Sequence, residues 1–170
     1  MSPKDEVSTN RKEQIMQSAA GLFAAQGYYK TTTAHVAEAV GVTQPYVFHF
    51  FKSKELLYLA VLERAYDRMV RVFNQVEAPP ERLCAAMGDA FSELLMTHRN
   101  EMLLLMQCSS APEPNIKEFA NKRFAQIHEM AKNRFTEEGI PNASHEATLF
   151  IAKGLIISLS AVLELPQLNL

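Results

Sequence analysis

The amino-acid sequence predicts an all-α protein. No segment alternates apolar and polar residues over the length of a β-strand. Glycine and proline instead divide the chain into segments in which apolar residues recur every three or four positions, the period of an α-helix. With 170 residues, 48% of them hydrophobic, the chain can bury a core without disulfides or bound metals. We therefore expect helices over residues 8–26, 33–40, 44–50, 53–76, 80–98, 100–110, 113–138 and 143–165.

Threonine and glycine mark the boundaries of the first three helices. Thr32 and Thr43 are expected N-caps, whose hydroxyls accept hydrogen bonds from backbone N–H groups in the first helical turn. For Thr43 the expected donor is the backbone N–H of Tyr46. Gly41 can adopt the left-handed conformation that a tight turn between the second and third helices requires. Because helices this short are marginal alone, buried apolar residues are expected to lock the three together. These residues are Leu22, Phe23, Val36, Ala37, Val40, Phe48 and Phe51, with Tyr46 pointing outward.

The last predicted helix is apolar around its whole circumference. A membrane span of about 20 residues is one interpretation, but Lys153 near its middle makes insertion costly. A helix that packs on its own core with one face and on a second subunit with the other explains the pattern better, so we expect a homodimer and no membrane. Gly154 and Ser158 are expected to permit close approach of the two backbones. The expected interface residues are Ile151, Gly154, Leu155, Ser158, Leu159 and Val162.

Charge is distributed unevenly along the chain, whose net charge is −2. Residues 1–75 contain nine Lys and Arg against seven Asp and Glu, whereas residues 76–170 contain eight against twelve. This modest excess of positive charge in the first part permits contact with nucleic acid there without proving it. The polar N-terminus argues against a signal peptide, and the two cysteines show no metal or redox spacing. We expect a cytoplasmic protein.

A series of residues at fixed offsets runs from residue 27 to residue 55. Its members are Gly27-Tyr28, Thr31-Thr32, Val36-Ala37, Gly41-Val42-Thr43, Val47-Phe48, Phe51 and Ser53-Lys54-Glu55. The series resembles the DNA-binding domain of the TetR family of transcriptional regulators, and the resemblance covers residues 11–56 by motif. It implies a helix-turn-helix domain at residues 1–52 and a helical effector-binding and dimerisation domain at residues 53–170. It also implies a ligand-responsive repressor that binds a palindromic operator in double-stranded DNA as a dimer.

The resemblance assigns the third helix, residues 44–50, to the major groove of DNA. Gln44, Tyr46 and His49 become candidates for base contacts, Gln44 through adenine N6 and N7 and Tyr46 through a thymine methyl. Hydroxyls, helix N-termini and lysines are expected to hold phosphates. The expected phosphate-binding residues are Thr32, Thr33, Thr43, Lys52 and Lys54.

Three residues depart from the usual pattern of the family. Pro45 stands where glycine is common; proline is tolerated in a first helical turn but removes a backbone donor close to DNA. Phe48 replaces the usual tyrosine, and Phe50 replaces a frequent histidine or tyrosine, so two polar groups are absent. Pro45 stays among the expected DNA-facing residues.

In a regulator of this kind, the helices from residue 53 onward enclose a cavity for a small-molecule effector. For each candidate lining residue taken singly, the sequence favours plain packing in the core over contact with a ligand. Few acidic residues fall on the inward stripes, which favours a neutral or anionic hydrophobic effector; no cofactor or metal is expected. The effector is expected to separate the two DNA-reading helices, with the fourth helix as a lever. The candidates are Met87, Phe91, Leu94, His98, Met106, Gln107, Phe119, Arg123 and Phe124.

Two other classes of function remain open. An enzyme is disfavoured because the sequence contains no HExxH, nucleophile elbow, P-loop or dinucleotide fingerprint, so no catalytic residue is expected. The departures at Pro45, Phe48 and Phe50 keep open the alternative of a helical ligand- or partner-binding module with weak or no sequence-specific DNA binding. The dependence of DNA affinity on salt distinguishes such a module from a regulator.

Overall fold

The computed structural model describes residues 3–168, and side chains from residue 9 onward. Within those residues the secondary structure is helical and contains no strand, so the all-α prediction is confirmed. Short 3₁₀ turns at Cys108–Ser110 and Pro166–Leu168 follow the sixth and eighth helices. The α-helices are α1 (Pro3–Lys30), α2 (Thr33–Val40), α3 (Gln44–Phe50), α4 (Lys54–Gln75), α5 (Pro80–Thr97), α6 (Arg99–Gln107), α7 (Pro114–Glu137) and α8 (Ala143–Leu163).

The helical backbone of α1 breaks at Gly27, next to the predicted end of the first helix. Gly27 interrupts the helix with φ 80° and ψ 166°, a conformation that favours glycine, and one further turn follows it up to Lys30. The side chain of Thr31, which is fully buried, closes this turn. Its hydroxyl lies 2.9 Å from the carbonyl oxygen of Gly27 and 3.2 Å from that of Leu22. The regular helix therefore ends at Gly27, as predicted, and the residues up to Lys30 form a separate turn.

The chain divides into two compact units, Met1–Arg64 and Ala65–Leu170. The division falls inside α4, later than the predicted boundary at residues 52 and 53, because the first turns of α4 belong to the core of the first unit. Leu57 and Val61 are fully buried there, and the ring of Tyr58 meets that of Phe23 edge to face at 4.8 Å. An ion pair of 2.6 Å between Arg64 and Glu13 also joins α4 to α1.

The core of the first unit forms where α1, α2, α3 and the start of α4 meet. Most residues expected there are buried, while Leu22 and Val40 are half-buried at the margin. The three-helix packing predicted for the short helices is confirmed by these residues. The buried side chains are Ile15, Met16, Ala19, Ala20, Phe23, Val36, Ala37, Val47, Phe51, Leu57, Tyr58, Val61 and Leu62.

The second unit has a core of its own, in which α7 and α8 make the most extensive contact. The ring of Phe150 on α8 packs edge to face against Phe73 of α4 and Phe135 of α7. A carboxylate also lies inside this unit: Glu101 is 3% exposed, and its Oε2 lies 3.5 Å from Nε of Arg68. The second unit thus has a hydrophobic core of its own, which also encloses one carboxylate.

Both cysteines behave as small apolar side chains, as expected for free thiols in a helical core. Cys108 is buried, and its Sγ lies 3.0 Å from the carbonyl oxygen of Leu105. Burial raises the pKa of the Cys108 thiol to about 12. Burial also raises the pKa of Cys84, which is half-buried, while the positive charge of Lys153 opposes that shift.

The C-terminal end of α4 is closed by an arginine from another helix. The guanidinium of Arg134, on α7, donates to the carbonyl oxygens of Phe73 and Val76. The last carbonyls of a helix have no partner within the helix, so a positively charged donor at this point satisfies them and interacts favourably with the helix dipole. Arg134 thereby ties α4 to α7 inside the second unit.

We expect Arg134→Met to lower the free energy of unfolding by about 1–3 kcal/mol, because two half-buried carbonyl oxygens lose a charged donor. Chemical denaturation followed by circular dichroism measures this change. Lys122→Met, at an exposed position on the same helix, is the matched control and should change stability by about 0.5 kcal/mol or less. Equal losses in the two variants would show that Arg134 does not close the helix end.

Candidate DNA-binding surface and ligand cavity

A three-residue turn joins α2 to α3. Gly41 has φ 70° and ψ 37°, and its N–H donates to the carbonyl of Glu38 at 3.1 Å. The N–H of Val42 donates to the carbonyl of Ala37 at 2.9 Å, which closes the end of α2. A side chain at Gly41 would be strained in this left-handed conformation. The predicted glycine turn is confirmed, and it fixes the direction in which α3 leaves α2.

The two expected threonine caps have different outcomes. The hydroxyl of Thr32 accepts the backbone N–H of His35 at 3.1 Å, so the cap of α2 is confirmed. The side chain of Thr43 makes no such bond at the start of α3. Its backbone carbonyl, not its hydroxyl, accepts the N–H of Tyr46 at 3.0 Å. The prediction for the Thr43 hydroxyl is therefore wrong, and this exposed hydroxyl is not used as a cap.

The first turn of α3 faces solvent. Gln44, Pro45, Tyr46 and His49 are all exposed, while Val47 is fully buried and holds the helix against the core. The side chain of Gln44 is oriented across the turn, because its Nε2 donates to Oγ1 of Thr33 at 2.9 Å. Thr33 itself is buried, so its hydroxyl positions Gln44 from beneath.

Phe48 does not occupy the buried position that was expected for it. Its side chain is 37% exposed, whereas Val47 and Phe51, four residues apart, take the inward positions. Successive residues of a helix are rotated by roughly 100°, so the residue after Val47 is turned away from the core. The exposed face of α3 consequently carries Phe48 beside Tyr46 and His49, and none of its residues is a lysine or arginine.

The two lysines expected near phosphates differ in their surroundings. Lys52 is exposed. Lys54 is half-buried, and its Nζ donates to the carbonyl of Tyr28 at 3.0 Å while lying 4.3 Å from the centre of the Tyr28 ring. The Lys54 ammonium thus joins the start of α4 to the last turn of α1. Lys54 therefore has a structural role that the sequence alone does not indicate.

The second unit contains a small apolar cavity of about 30 Å³. Three of the expected lining residues, Phe91, Met106 and Phe124, lie in its wall. The lining residues are Met69, Phe73, Gly88, Phe91, Met106, Phe124, Ile127, Phe150, Ile151, Lys153, Gly154 and Ile157. The cavity as it stands has room for a water-sized molecule, so a larger ligand requires its side chains to move.

The other candidates for the cavity wall are not part of its lining. They are Met87, Leu94, His98, Gln107, Phe119 and Arg123. Met87 and Leu94 are buried in the core, and Gln107 is exposed. Cζ of Arg123 lies 4.5 Å from the ring centre of Tyr66 and 5.7 Å from that of Phe119. Arg123 and Phe119, both expected to contact the ligand, therefore contact each other. Apolar periodicity identifies the buried side of α7 but does not tell which of its residues line the cavity.

One side of α8 is covered by its own unit and another is open. Gly154 and Ile151 line the cavity, and Ser158 is 5% exposed with its hydroxyl bonded to the carbonyl of Gly154 at 2.8 Å. The nearest heavy atom to a Cβ built on Gly154 is Cε1 of Phe91, at 3.9 Å. Ser158 is buried within its own unit and Gly154 is half-buried against Phe91, so the expectation that these two residues admit a second backbone stays a prediction.

The open side of α8 is apolar. Three expected interface residues, Leu155, Leu159 and Val162, are 40%, 48% and 42% exposed, and Leu149, Ile156 and Leu163 lie beside them. We call these six residues the apolar face of α8. By length and composition α8 also qualifies as a helix able to cross a membrane, and 28% of its most apolar stretch is buried.

The model of the tetR family of bacterial regulatory proteins matches residues 15–61, which include α2, the turn and α3. The chain is 30% identical over 118 residues to the transcriptional activator FasR of Mycolicibacterium smegmatis, a match that covers 67% of this chain and 52% of FasR. The chain spans about half the length of the curated relatives it matches. On the match of its helix-turn-helix and on these relatives, the chain belongs to the tetR family.

Solved structures agree with this assignment at the level of the fold. A transcriptional regulator from Rhodococcus sp. Rha1 superposes with a TM-score of 0.75 at 23% identity, covering 92% of this chain and 86% of that one. AibR, solved in complex with isovaleryl coenzyme A and operator DNA, gives a TM-score of 0.71 at 19% identity, covering 88% and 86%. The likeness therefore extends through the second unit.

The two threonines that precede α2 and α3 form a matched pair for mutation. Thr32→Ala should lower the free energy of unfolding by about 1 kcal/mol, because it removes the hydroxyl that caps α2. Thr43→Ala should cost less, since the Thr43 hydroxyl makes no cap bond. Thermal or urea unfolding of both variants measures the difference. A loss at Thr43 as large as that at Thr32 would contradict the assignment of the caps.

Proposed function

We propose that this protein is a transcription regulator that binds a palindromic operator as a homodimer and releases it when a small hydrophobic effector enters the second unit. The observation that carries the proposal is the exposed first turn of α3. This turn is held outward by buried Val47 and by the bond from Gln44 to Thr33, in a segment that matches the tetR family. We further propose that the protein acts as a repressor in the cytoplasm and catalyses no reaction.

The exposed residues of the turn supply the proposed contacts with bases. Gln44 has an amide that can bond to adenine N6 and N7 once it leaves Thr33, and Tyr46 and His49 lie on the same exposed side. Pro45 starts the helix without an N–H, so it contributes shape and apolar contact only. Phe48, exposed beside them, adds an apolar surface for a thymine methyl.

Contacts with the DNA backbone are proposed for the helix starts and the exposed lysine. Thr32, Thr43 and Lys52 are exposed, so their hydroxyls and ammonium are accessible to phosphates. Thr33 and Lys54 are engaged within the unit and act mainly by positioning Gln44 and the start of α4. The N-terminus of α2 adds the partial positive charge that favours a phosphate, whereas α3 contributes less, because Pro45 has no N–H and the N–H of Tyr46 is bonded to Thr43.

The apolar face of α8 supports the proposed homodimer. A soluble monomer rarely exposes a contiguous apolar patch of this kind, and in a helix of period 3.6 the residues Leu155, Leu159 and Val162 fall in one row. The same face on a second copy is complementary to it, as a twofold interface requires. Two recognition helices about one DNA turn apart, roughly 34 Å, could then read the two halves of a palindrome.

The cavity of the second unit supports a role for a small effector. AibR, which shares the fold, was solved with an acyl coenzyme A and operator DNA. In this chain α4 is one continuous helix that contributes Met69 and Phe73 to the cavity wall and its first turns to the first unit. A ligand that fits one conformation of the second unit better than another can change DNA affinity only by its difference in affinity for the two.

An exposed α3 without a lysine or arginine favours one competing function, a helical module that binds a partner or ligand but not a specific DNA sequence. The two exposed aromatic rings, Tyr46 and Phe48, suit a protein surface as well as a DNA groove. A regulator that contacts several phosphates loses affinity steeply as salt rises, with a slope of log K against log salt of about −0.9 per contact. A module of the competing kind shows weak binding without sequence preference.

We expect Gln44→Ala to weaken binding to the preferred operator by about 1–3 kcal/mol and to relax selectivity at one base pair of each half-site. The operator is first selected from a random double-stranded library with the wild-type chain, and affinities are then measured by fluorescence anisotropy at several salt concentrations. Gln17→Ala, at an exposed position of α1, is the matched control. Failure to select any sequence, together with a flat salt dependence, would favour the competing module.

We expect Leu159→Glu to convert the dimer into a monomer at micromolar concentrations, because it places two carboxylates in the centre of an apolar interface. Sedimentation velocity of the full chain measures the change, and operator affinity should fall with it. Leu56→Glu is the matched control, since Leu56 is 49% exposed, close to the 48% of Leu159, but lies on α4. A dimer that survives in the Leu159 variant would refute this interface.

A further inference from the structure

An open groove on the surface of the second unit adjoins the apolar cavity. The groove has a volume of about 530 Å³ and runs between α5 and α8. Gly88, Lys153 and Ile157 line both the groove and the cavity, so these residues form the boundary between them. The cavity wall is otherwise apolar, which makes Lys153 its one charged residue.

Lys153 lies at this boundary without an acidic partner. The described part of the chain provides it with neither a hydrogen bond nor an ion pair, although its side chain is half-buried. Asp89 lines the groove without coming within ion-pair distance, and Glu146 acts on the neighbouring thiol of Cys84. An ammonium in a partly desolvated position is stabilised by an anion that can reach it.

A second cation extends the positive side of the groove. Arg99 lines it, and its Nη2 donates to the carbonyl of Ala161 at 2.8 Å, which holds the guanidinium close to α8. Arg99 and Lys153 together exceed the single acidic residue of the groove, Asp89. Gly88 lies beside the Lys153 side chain, because a Cβ built on Gly88 would be in ordinary van der Waals contact with Cε of Lys153, at 3.9 Å.

We propose that Lys153 binds the anionic headgroup of an amphipathic ligand whose apolar chain enters the cavity, with Arg99 as a second contact for the headgroup. This inference rests on the proposed function, because it names the chemical class of the effector. The chain would occupy the cavity by displacing the flexible side chains of Met69 and Met106 from its walls. The open groove accommodates the larger, hydrated headgroup.

The groove and the centre of the apolar face lie on different sides of α8. Lys153, Ile157, Ser160 and Ala161 line the groove, and Leu159 lies on the opposite side of the helix from their common direction. A headgroup at Lys153 therefore leaves the centre of the proposed dimer surface open, and only Leu149 and Ile156, at its edge, lie one helical turn from Lys153. Ligand binding and dimer formation can be measured independently.

The test uses the whole 170-residue chain in the absence of DNA. The ligands share one alkyl chain and differ in the headgroup, and each is kept below its critical micelle concentration. Calorimetry should show decanoate and decyl phosphate binding about tenfold or more tightly than decanol, because only the first two offer a charged acceptor to the ammonium. Decyltrimethylammonium should bind more weakly than decanol. The preferred anion of the two identifies the headgroup as a carboxylate or a phosphate. Affinity should also rise about fourfold for each methylene added between octanoate and decanoate.

Lys153→Gln should remove the preference for the anions and leave the affinity for decanol within about twofold. Lys122→Gln, an exposed lysine of α7, is the control and should keep the preference. Equal binding of decanol and decanoate by the wild type, an unchanged preference in the Lys153 variant, or no dependence on chain length would each overturn the inference. The comparison of ligands on the wild type needs no variant, so the test holds even if Lys153→Gln unfolds.

Failure of this inference and failure of the proposed function give different results. A chain that selects an operator but shows no preference for anions retains the proposed regulation and loses the ligand class. A chain that binds decanoate through Lys153 but selects no DNA retains the ligand site and loses the regulator. The two measurements share no reagent except the protein.

Discussion

The burial of Val47 is the constraint on which the candidate DNA-binding surface depends. α3 has seven residues, and a helix of that length is not stable in water by itself. Val47 is fully buried and Phe51 nearly so, and together they hold one side of α3 in the core of the first unit, where α3 packs on α2. The opposite side, with Gln44 and His49, is exposed as a consequence. The core of the first unit and its candidate binding surface are thus two sides of the same short helix.

Much of the first unit could be predicted from sequence because its signals are local. Thr32 caps the helix that follows it, and Gly41 takes a backbone conformation that few other residues adopt, so each position reports its own structure. The errors have a common cause. Phe48 and the Thr43 hydroxyl were assigned by residue type, whereas a rotation of roughly 100° per residue and competition with a backbone carbonyl decided their environments.

The second unit was predictable in its helices but not in its site. Apolar periodicity marks which side of a helix is covered, but it does not tell which neighbouring helix covers it or where the packing leaves a gap. Gly154 illustrates this limit, since a small residue on an apolar helix suits a dimer contact and a cavity wall equally well. Arg123 illustrates another, because its charge suggested a ligand contact while the rings of Tyr66 and Phe119 receive its guanidinium. Only the packed helices distinguish these possibilities.

The state of the two native thiols has a practical consequence for studying motion in this protein. A thiol reacts as the thiolate, and with a pKa of about 12 only on the order of one Cys108 in 10⁵ is ionised at pH 7, in a side chain that solvent hardly reaches. Cys84 is shielded in part, and its pKa is also raised. A cysteine introduced at an exposed site such as His49 would therefore accept a maleimide or spin label well before either native thiol. In the proposed dimer, the distance between the two labels can then be followed with and without ligand while both native thiols are kept.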